Sequence, residues 1–341
     1  MKDSLLRYME SNSVAQQFAY KVKEEARTAK FRIYGPMILL ILMTAVGAIF
    51  LDNFFTWRNI TNLLYQMSIP LVLATGITFV LLIGSIDLSL EGVMGFSGAV
   101  VSLLVTNTMN DNNFGLFGIL ITIAAGTFVG VITGILHVKL RIASFIITYA
   151  MGSIITGFGV LTYGGTPAQV TYELFDVVSR NSFIGIPYLT WSAFIVFFAG
   201  CVILNYTAFG RAVYAIGDNE LAARSTGIDV DWTKVKVFAL CACTASIAGV
   251  LACIRLKLGQ VRIGNNQLFP VITSVVLGGV SLSGGKGGML QTFVGVLIYT
   301  ELSNFLTMQK VDPYYRQLSQ GVIIIVAVAL TITRSRRIIS K

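Results

Sequence analysis

The sequence predicts an all-α, polytopic membrane protein with about ten transmembrane helices, some of them broken or interrupted by glycine. Three observations carry that expectation. Hydrophobic residues make up 55% of the 341-residue chain and charged residues only 12%, whereas an ordinary globular domain is about a quarter charged. The apolar residues gather in runs of roughly 17 to 25, the length that crosses about 30 Å of hydrocarbon. Lysine and arginine flank these runs unevenly, as membrane orientation requires.

Taken in order, residues 1–34 are polar and lack the apolar stretch of a cleavable signal, so they read as a cytoplasmic N-terminal segment. Spans follow at about 35–52, 62–83, 88–107, 114–136, 142–163, 188–208, 237–256, 268–284, 288–307 and 318–333. Glycines and polar residues interrupt the third, eighth and ninth. The membrane domain therefore covers 35–333, and a basic cytoplasmic tail covers 334–341. With the N-terminus inside, inner segments hold 18 of the 25 lysines and arginines and outer segments hold 7, Arg262 among them. Both ends are then expected in the cytoplasm, and the chain is expected to be a multi-pass protein of the plasma membrane.

Several function classes drop out. The net charge is +9, but the basic residues border apolar spans instead of forming a stripe with interleaved aromatics, so no nucleic-acid partner is expected. His137 is the only histidine, which leaves no histidine relay, Ser-His-Asp triad or histidine-rich metal site; it reads as an interfacial residue in a basic loop. Cys201, Cys241, Cys243 and Cys253 lie in or beside apolar segments without metal or redox spacing. They read as small buried residues. No catalytic residue and no metal site is assigned, and the chain is not expected to be an enzyme.

Two glycine-rich stretches resemble one another, "GSIDLSLEG" from Gly84 and "GGVSLSGGKGG" from Gly278. Gly-interrupted segments at corresponding places in two halves point to a transport path, with chance similarity as the competing reading. The second stretch is not a phosphate loop, because Val280 and Gly287 stand where Gly and Ser or Thr are needed. Its glycines instead allow close helix approach or a broken span. If helical, Asp87 and Glu91 share a face; they serve either as capping and structural groups or in the path. Glu301 and Asn304 form another polar face, suited to helix-to-helix hydrogen bonding. The candidate path residues are Asp87, Ser89, Glu91, Ser281, Ser283 and Asn304. The outer loop 164–187 docks a partner, gates an entrance or merely connects, and the Asn59-Ile60-Thr61 sequon is discounted.

"AIGDNELAARSTGI", residues 215–228, looks soluble. Asp218 is suited to an N-cap, Glu220 to the first turn and Gly227 to the C′ position, which brackets a helix of about eight residues. Glu220 and Arg224 are spaced i, i+4, and Leu221, Ala222 and Ala223 offer a shallow apolar surface. A helix this short needs a surface to pack on. The 209–236 loop is the largest inner connection, so this helix is suited to a groove on a cytoplasmic partner. The competing interfacial helix would carry larger apolar side chains.

These residues resemble the permease subunits of ATP-binding-cassette importers for simple sugars. The family's G-G-I-D-L-S-V-G is similar to "GSIDLSLEG", its Y-A-I-G-x-N-x-x-A-A-x-x-x-G-I to Tyr214 through Ile228, and its G-G-x-S-L-S-G-G-x-G to Gly278 through Gly287. A late Q-x-x-x-G-x-I-I-x-x-A-V matches "QLSQGVIIIVAVAL". Ser85 and Glu91 replace expected glycines, Asp218 stands where the family often has Gly, and Ala143 with Ser144 replaces a common proline. The resemblance implies that 35–333 is a permease domain moving a monosaccharide or similar small polyol. It also implies a second permease copy or relative, two cytoplasmic ATPase subunits that bind ATP and Mg, and an extracytoplasmic sugar-binding protein. No cofactor is expected on this chain. The ATPase-coupling residues would be Gly217, Asp218, Asn219, Glu220, Ala222, Ala223, Arg224 and Gly227. The alternative is an ion-coupled secondary carrier using Asp87, Glu91 or Glu301.

Overall fold

The computed structural model describes residues 34–312, 314–319 and 321–322. The basic tail, most of the tenth span and nearly all of the N-terminal segment lie outside the described residues. Helices dominate: α1 (Tyr34–Phe50), α2 (Trp57–Leu82), α3 (Leu90–Leu104), α4 (Gly115–Leu140), α5 (Ser144–Thr162), α6 (Glu173–Arg180), α7 (Tyr188–Tyr206), α8 (Ala208–Asp218), α9 (Glu220–Ser225), α10 (Val230–Leu256), α11 (Leu268–Leu277) and α12 (Met289–Met308). Five of these, α2, α4, α5, α7 and α10, are long and apolar enough to cross a membrane, and α1 and α3 are shorter apolar helices. The all-α polytopic expectation holds.

The core is built around α2 and α10, which are buried over most of their length. They pack against each other, α10 also against α3 and α4, and α2 against α7 and α12. Small residues set these contacts: a methyl added to Gly76 would overlap the Thr244 hydroxyl, and one on Gly126 the Ser246 hydroxyl. Such close approach is how membrane helices gain dispersion energy and interhelical hydrogen bonds without a hydrophobic drive. Ser97 and Ser246 share one at 2.7 Å, and Thr78 and Thr292 another at 2.7 Å.

The bundle has two ends, a proximal one carrying 209–236 and a distal one carrying 164–187. The distal segment is more than a connector. It holds α6 and two short antiparallel pairings: β1 (Ala168–Gln169) with β4 (Leu258–Gly259), and β2 (Ser182–Phe183) with β3 (Ile186–Pro187). The sequon lies in the first turn of α2, where the Asn59 amide donates to the Phe54 carbonyl at 2.9 Å. His137 lies in the last turn of α4, not in a loop, with its Nδ1 2.8 Å from the Ile142 carbonyl.

Two of the spans that the sequence marks as interrupted, the third and the eighth, are broken, and the structure revises their bounds. The third span begins as a non-helical stretch, and α3 starts only at Leu90. The backbone N–H groups of Ile86 and Leu88 donate to Ser144 Oγ and Thr148 Oγ1 of α5 at 3.2 and 2.9 Å. Bonds that a helix would make internally are made to a neighbouring helix instead, which is what a non-helical backbone at membrane depth requires. The eighth span is not a helix over 268–284. Its helix, α11, has ten residues, about 15 Å at 1.5 Å per residue. The other half is the preceding segment: Gly259 lies against Ser102, Val261 against Gly95, and Gly264 against the Glu91 carbonyl. Residues 259–264 thus run down the length of α3 from its distal end to its first turn.

Candidate functional site

The helix expected within 218–227 is present but starts later. Asp218 is the last residue of α8, and Asn219 is the N-cap of α9, its side-chain oxygen accepting the Ala222 N–H at 3.0 Å. Asp218 cannot cap because its own backbone is still helical. The C-terminal end follows the sequence reading: Gly227 has φ +84°, the Gly227 N–H donates to the Arg224 carbonyl, and the Ile228 N–H donates to the Ala223 carbonyl. That pair of bonds is a Schellman closure, which needs a left-handed residue at C′.

Charge fastens α9 to the start of α10. Arg224 reaches Asp231 at 2.6 Å and Glu220 at 3.9 Å, and Lys234 reaches Glu220 at 2.8 Å. The Glu220–Arg224 spacing is therefore only the weaker part of a four-residue network. Ala223 is the inward anchor at 4% exposure, whereas Leu221 stands 78% exposed. Asp218, Asn219, Glu220, Ala222 and Arg224 are exposed beside it. Leu221, read from sequence as part of a shallow apolar surface, is left out of the expected coupling residues. Its signal was an apolar side chain on the side opposite an alanine seat.

Both glycine-rich stretches meet beneath this helix. A methyl on Gly217 would overlap the Leu82 carbonyl oxygen and press on the Gly285 N–H. Gly285 donates to Leu82 at 2.9 Å, Ser283 lies against Gly84, and Gly284 against Gly217. The Tyr214 hydroxyl donates to the Gly287 carbonyl at 2.8 Å. Burial pushes the Tyr214 phenol up, so it remains a donor. Three motifs far apart in sequence thus form one stacked backbone seat, which only glycine permits at Gly217.

The path residues proposed from sequence separate into three places. Asp87, Ser89 and Glu91 lie at the break before α3. Asp87 is not on a helix face with Glu91: it precedes the helix and accepts from the Ser89 N–H and hydroxyl at 2.8 and 2.6 Å. Glu91 is in the first turn, and its Oε1 accepts the Leu268 N–H at 2.8 Å, tying the two broken spans together. Ser281 and Ser283 belong to the proximal seat, the Ser283 N–H donating to Ser281 Oγ at 3.3 Å. Asn304 sits distally, donating to Asn59 Oδ1 at 3.0 Å, and Glu301, one turn away on the same helix, is buried. Among the described residues no group of three histidine, cysteine or acidic side chains is placed to hold a metal.

Residues 59–328 match the model of the family described as branched-chain amino acid transport system / permease component. The chain belongs to this permease family. The permease is 34% identical over 296 residues to the ribose import permease protein of Escherichia coli (strain K12), covering 86% of this chain and 91% of that relative. It is 33% identical over 317 residues to the ribose import permease protein of Bacillus subtilis (strain 168), covering 90% and 97%. It is also 33% identical over 294 residues to an L-arabinose ABC transporter permease protein of Azospirillum brasilense, covering 86% of each. The resemblance drawn from the motifs is met, and the matched region includes both broken spans and the whole proximal seat.

Proposed function

We propose that this chain is the transmembrane subunit of an ATP-binding-cassette importer that moves a monosaccharide or similar small polyol across the bacterial plasma membrane. One observation carries the reading: the similarity to ribose and L-arabinose permeases covers 86% of the chain, and the family match covers residues 59–328. The geometry supports it. In this reading the proximal end is cytoplasmic, and α9 with Leu221 at its apex is the element that an ATPase subunit grips. ATP and Mg belong to that partner. Its motion reaches the spans because α9 is fastened to α10 by Arg224–Asp231 and Lys234–Glu220, and α8 rests on Leu82 and Gly285 by direct backbone contact. A push on α9 is thereby delivered to α2, α10 and the turn after α11.

The distal end would receive solute from an extracytoplasmic binding protein. The β2–β3 hairpin suits that contact, since its tip presents Phe183 at the end of β2 and Ile184 in the turn, 54% and 73% exposed. A second permease copy or relative completes the translocation unit.

An ion-coupled carrier has less support, because two of the acidic groups it would use are engaged locally. Asp87 is held by Ser89 and Glu91 by the Leu268 N–H. Purification from membranes tests the reading: the permease is expected to copurify with an ATPase whose hydrolysis rises when sugar-loaded binding protein is added. A permease that purifies without any ATPase, yet transports in liposomes, would overturn it.

A further inference from the structure

The eighth span contains a feature that the assignment of loops by hydropathy hides. Between β4 and α11 the chain carries Arg262, Asn265, Asn266 and Gln267, followed by Phe269. Arg262, Asn265 and Asn266 are exposed, Gln267 is half-buried, and Phe269 is 63% exposed. None of the four polar side chains has a hydrogen-bond partner among the described residues. Such a segment is unremarkable at the end of a bundle. This one is deep inside it.

Depth follows from the neighbours. Gly264 lies against the Glu91 carbonyl, eleven residues along α3 from the Ser102 that faces Gly259, which is about 16 Å of helix. Gly92 of the same turn lies against Gly152, the ninth of nineteen residues in α5. From the other side, α11 spans about 15 Å from Leu268 to its proximal end. The polar cluster therefore stands near half of a hydrocarbon layer about 30 Å thick. An arginine, three amides and an irregular backbone are not tolerated there against lipid; they occur only against protein or water.

The cluster also has the design of a site. Asn266 adopts φ +62°, a left-handed conformation that asparagine accepts better than most residues, and it turns the chain from the 3-10 segment Val261–Gly264 into α11. The Glu91 carboxylate fixes the first N–H of α11 through Oε1, and its other oxygen has no partner among the described residues. Glu91 thus acts as a positioning residue for the break. Side-chain amides offer a carbonyl acceptor and two N–H donors each, and guanidinium offers five donors. A hydroxyl group both donates and accepts, so a neutral polyhydroxylated solute satisfies this mixed set where an ion of one sign would not. Phe269 supplies an apolar face of the kind that small-molecule sites combine with a few polar groups.

We infer that Asn265, Asn266 and Gln267, with Arg262 and Phe269 beside them, form the mid-membrane contact site for a neutral polyol in transit. The inference rests on the permease reading above and adds the residues that touch the solute. It is tested in the complete complex of permease, ATPase and binding protein, with the four native cysteines replaced. Asn265→Cys and Gln267→Cys are exposed to a membrane-impermeant thiol reagent, with Phe128→Cys, on the exposed apolar middle of α4, as comparison. The first two should react at least about tenfold faster than the third, and their modification should block uptake of radiolabelled ribose and arabinose. Reaction no faster than at Phe128→Cys overturns the site.

A second arm uses the near-isosteric Asn265→Asp and Gln267→Glu. Each removes an amide's N–H donors and adds charge, so uptake kcat/KM should fall by about tenfold or more, in line with a hydrogen bond lost inside a desolvated site. Unchanged kcat/KM in both overturns the proposal. If the unmodified complex accumulates neither sugar with ATP, the functional reading fails, while the labelling pattern still decides whether this face is wetted.

Discussion

Truncating Leu221 to alanine should weaken the grip of the ATPase on the permease without disturbing the permease itself. Leu221 is 78% exposed and Ala223 supplies the contact that seats α9, so the truncation removes little packing within the chain. Alanine is also the better helix former, which keeps α9 intact. Fully burying a leucine side chain contributes about 1.5–3 kcal/mol relative to leaving it exposed. A partner groove that covers the exposed part therefore gains about 1–2 kcal/mol from this one side chain, or about five- to thirtyfold in affinity. Leu221→Asp should cost more, because a charge beside Glu220 must also be desolvated. Titrating the ATPase subunit against permease in nanodiscs measures the loss, and the melting temperature of the permease alone checks that the fold is intact. Leu221→Ala and Leu221→Asp that both bind the ATPase as tightly as the parent chain would refute the assignment of α9 as the contact element.

Gly217→Ala should destabilise the permease by at least about 2 kcal/mol, seen as a lowered melting temperature, because the added methyl meets backbone of Leu82 and Gly285, which cannot rotate away. Asn219→Ala should cost about 1 kcal/mol through loss of the α9 cap, and Asn219→Asp should restore it. Glu91→Ala should cost about 1–3 kcal/mol by orphaning the Leu268 N–H, with Glu91→Gln retaining most of the stability because its carbonyl still accepts that bond. Tyr214→Phe should lose about 1 kcal/mol. Because burial raises the Tyr214 phenol above its ordinary value of 10.0, this contribution is fully present below pH 10 and lost only as pH rises through the raised value. Melting temperatures of parent and variant should stay a constant distance apart between about pH 6 and 9.

Local chemistry made much of this legible. The spans with unbroken apolar runs, α2, α4, α5, α7 and α10, follow from hydropathy alone, and Gly227 with its Schellman closure follows from the glycine after an alanine-rich helix. What failed were features fixed by residues distant in sequence. The stretch before α3 stays non-helical because Ser144 and Thr148, on α5, supply the acceptors that a helix would otherwise provide. Arg262 through Gln267 read as an outer loop because polarity in a membrane protein normally marks water beyond the bilayer. Here α3 screens one side of the segment, and depth cannot be read from composition. The N-cap shifted from Asp218 to Asn219 because α8, resting on Leu82 and Gly285, holds Asp218 helical. In each case a neighbouring backbone outweighed local preference.

The most direct measurement of the central claim is sugar accumulation in proteoliposomes holding the permease and its ATPase, with binding protein on the distal side. Radiolabelled ribose or arabinose should accumulate only when ATP is supplied to the proximal side, and an ionophore that collapses ion gradients should leave the initial rate unchanged. Uptake that needs an ion gradient, proceeds without ATP and stops with the ionophore would contradict the account.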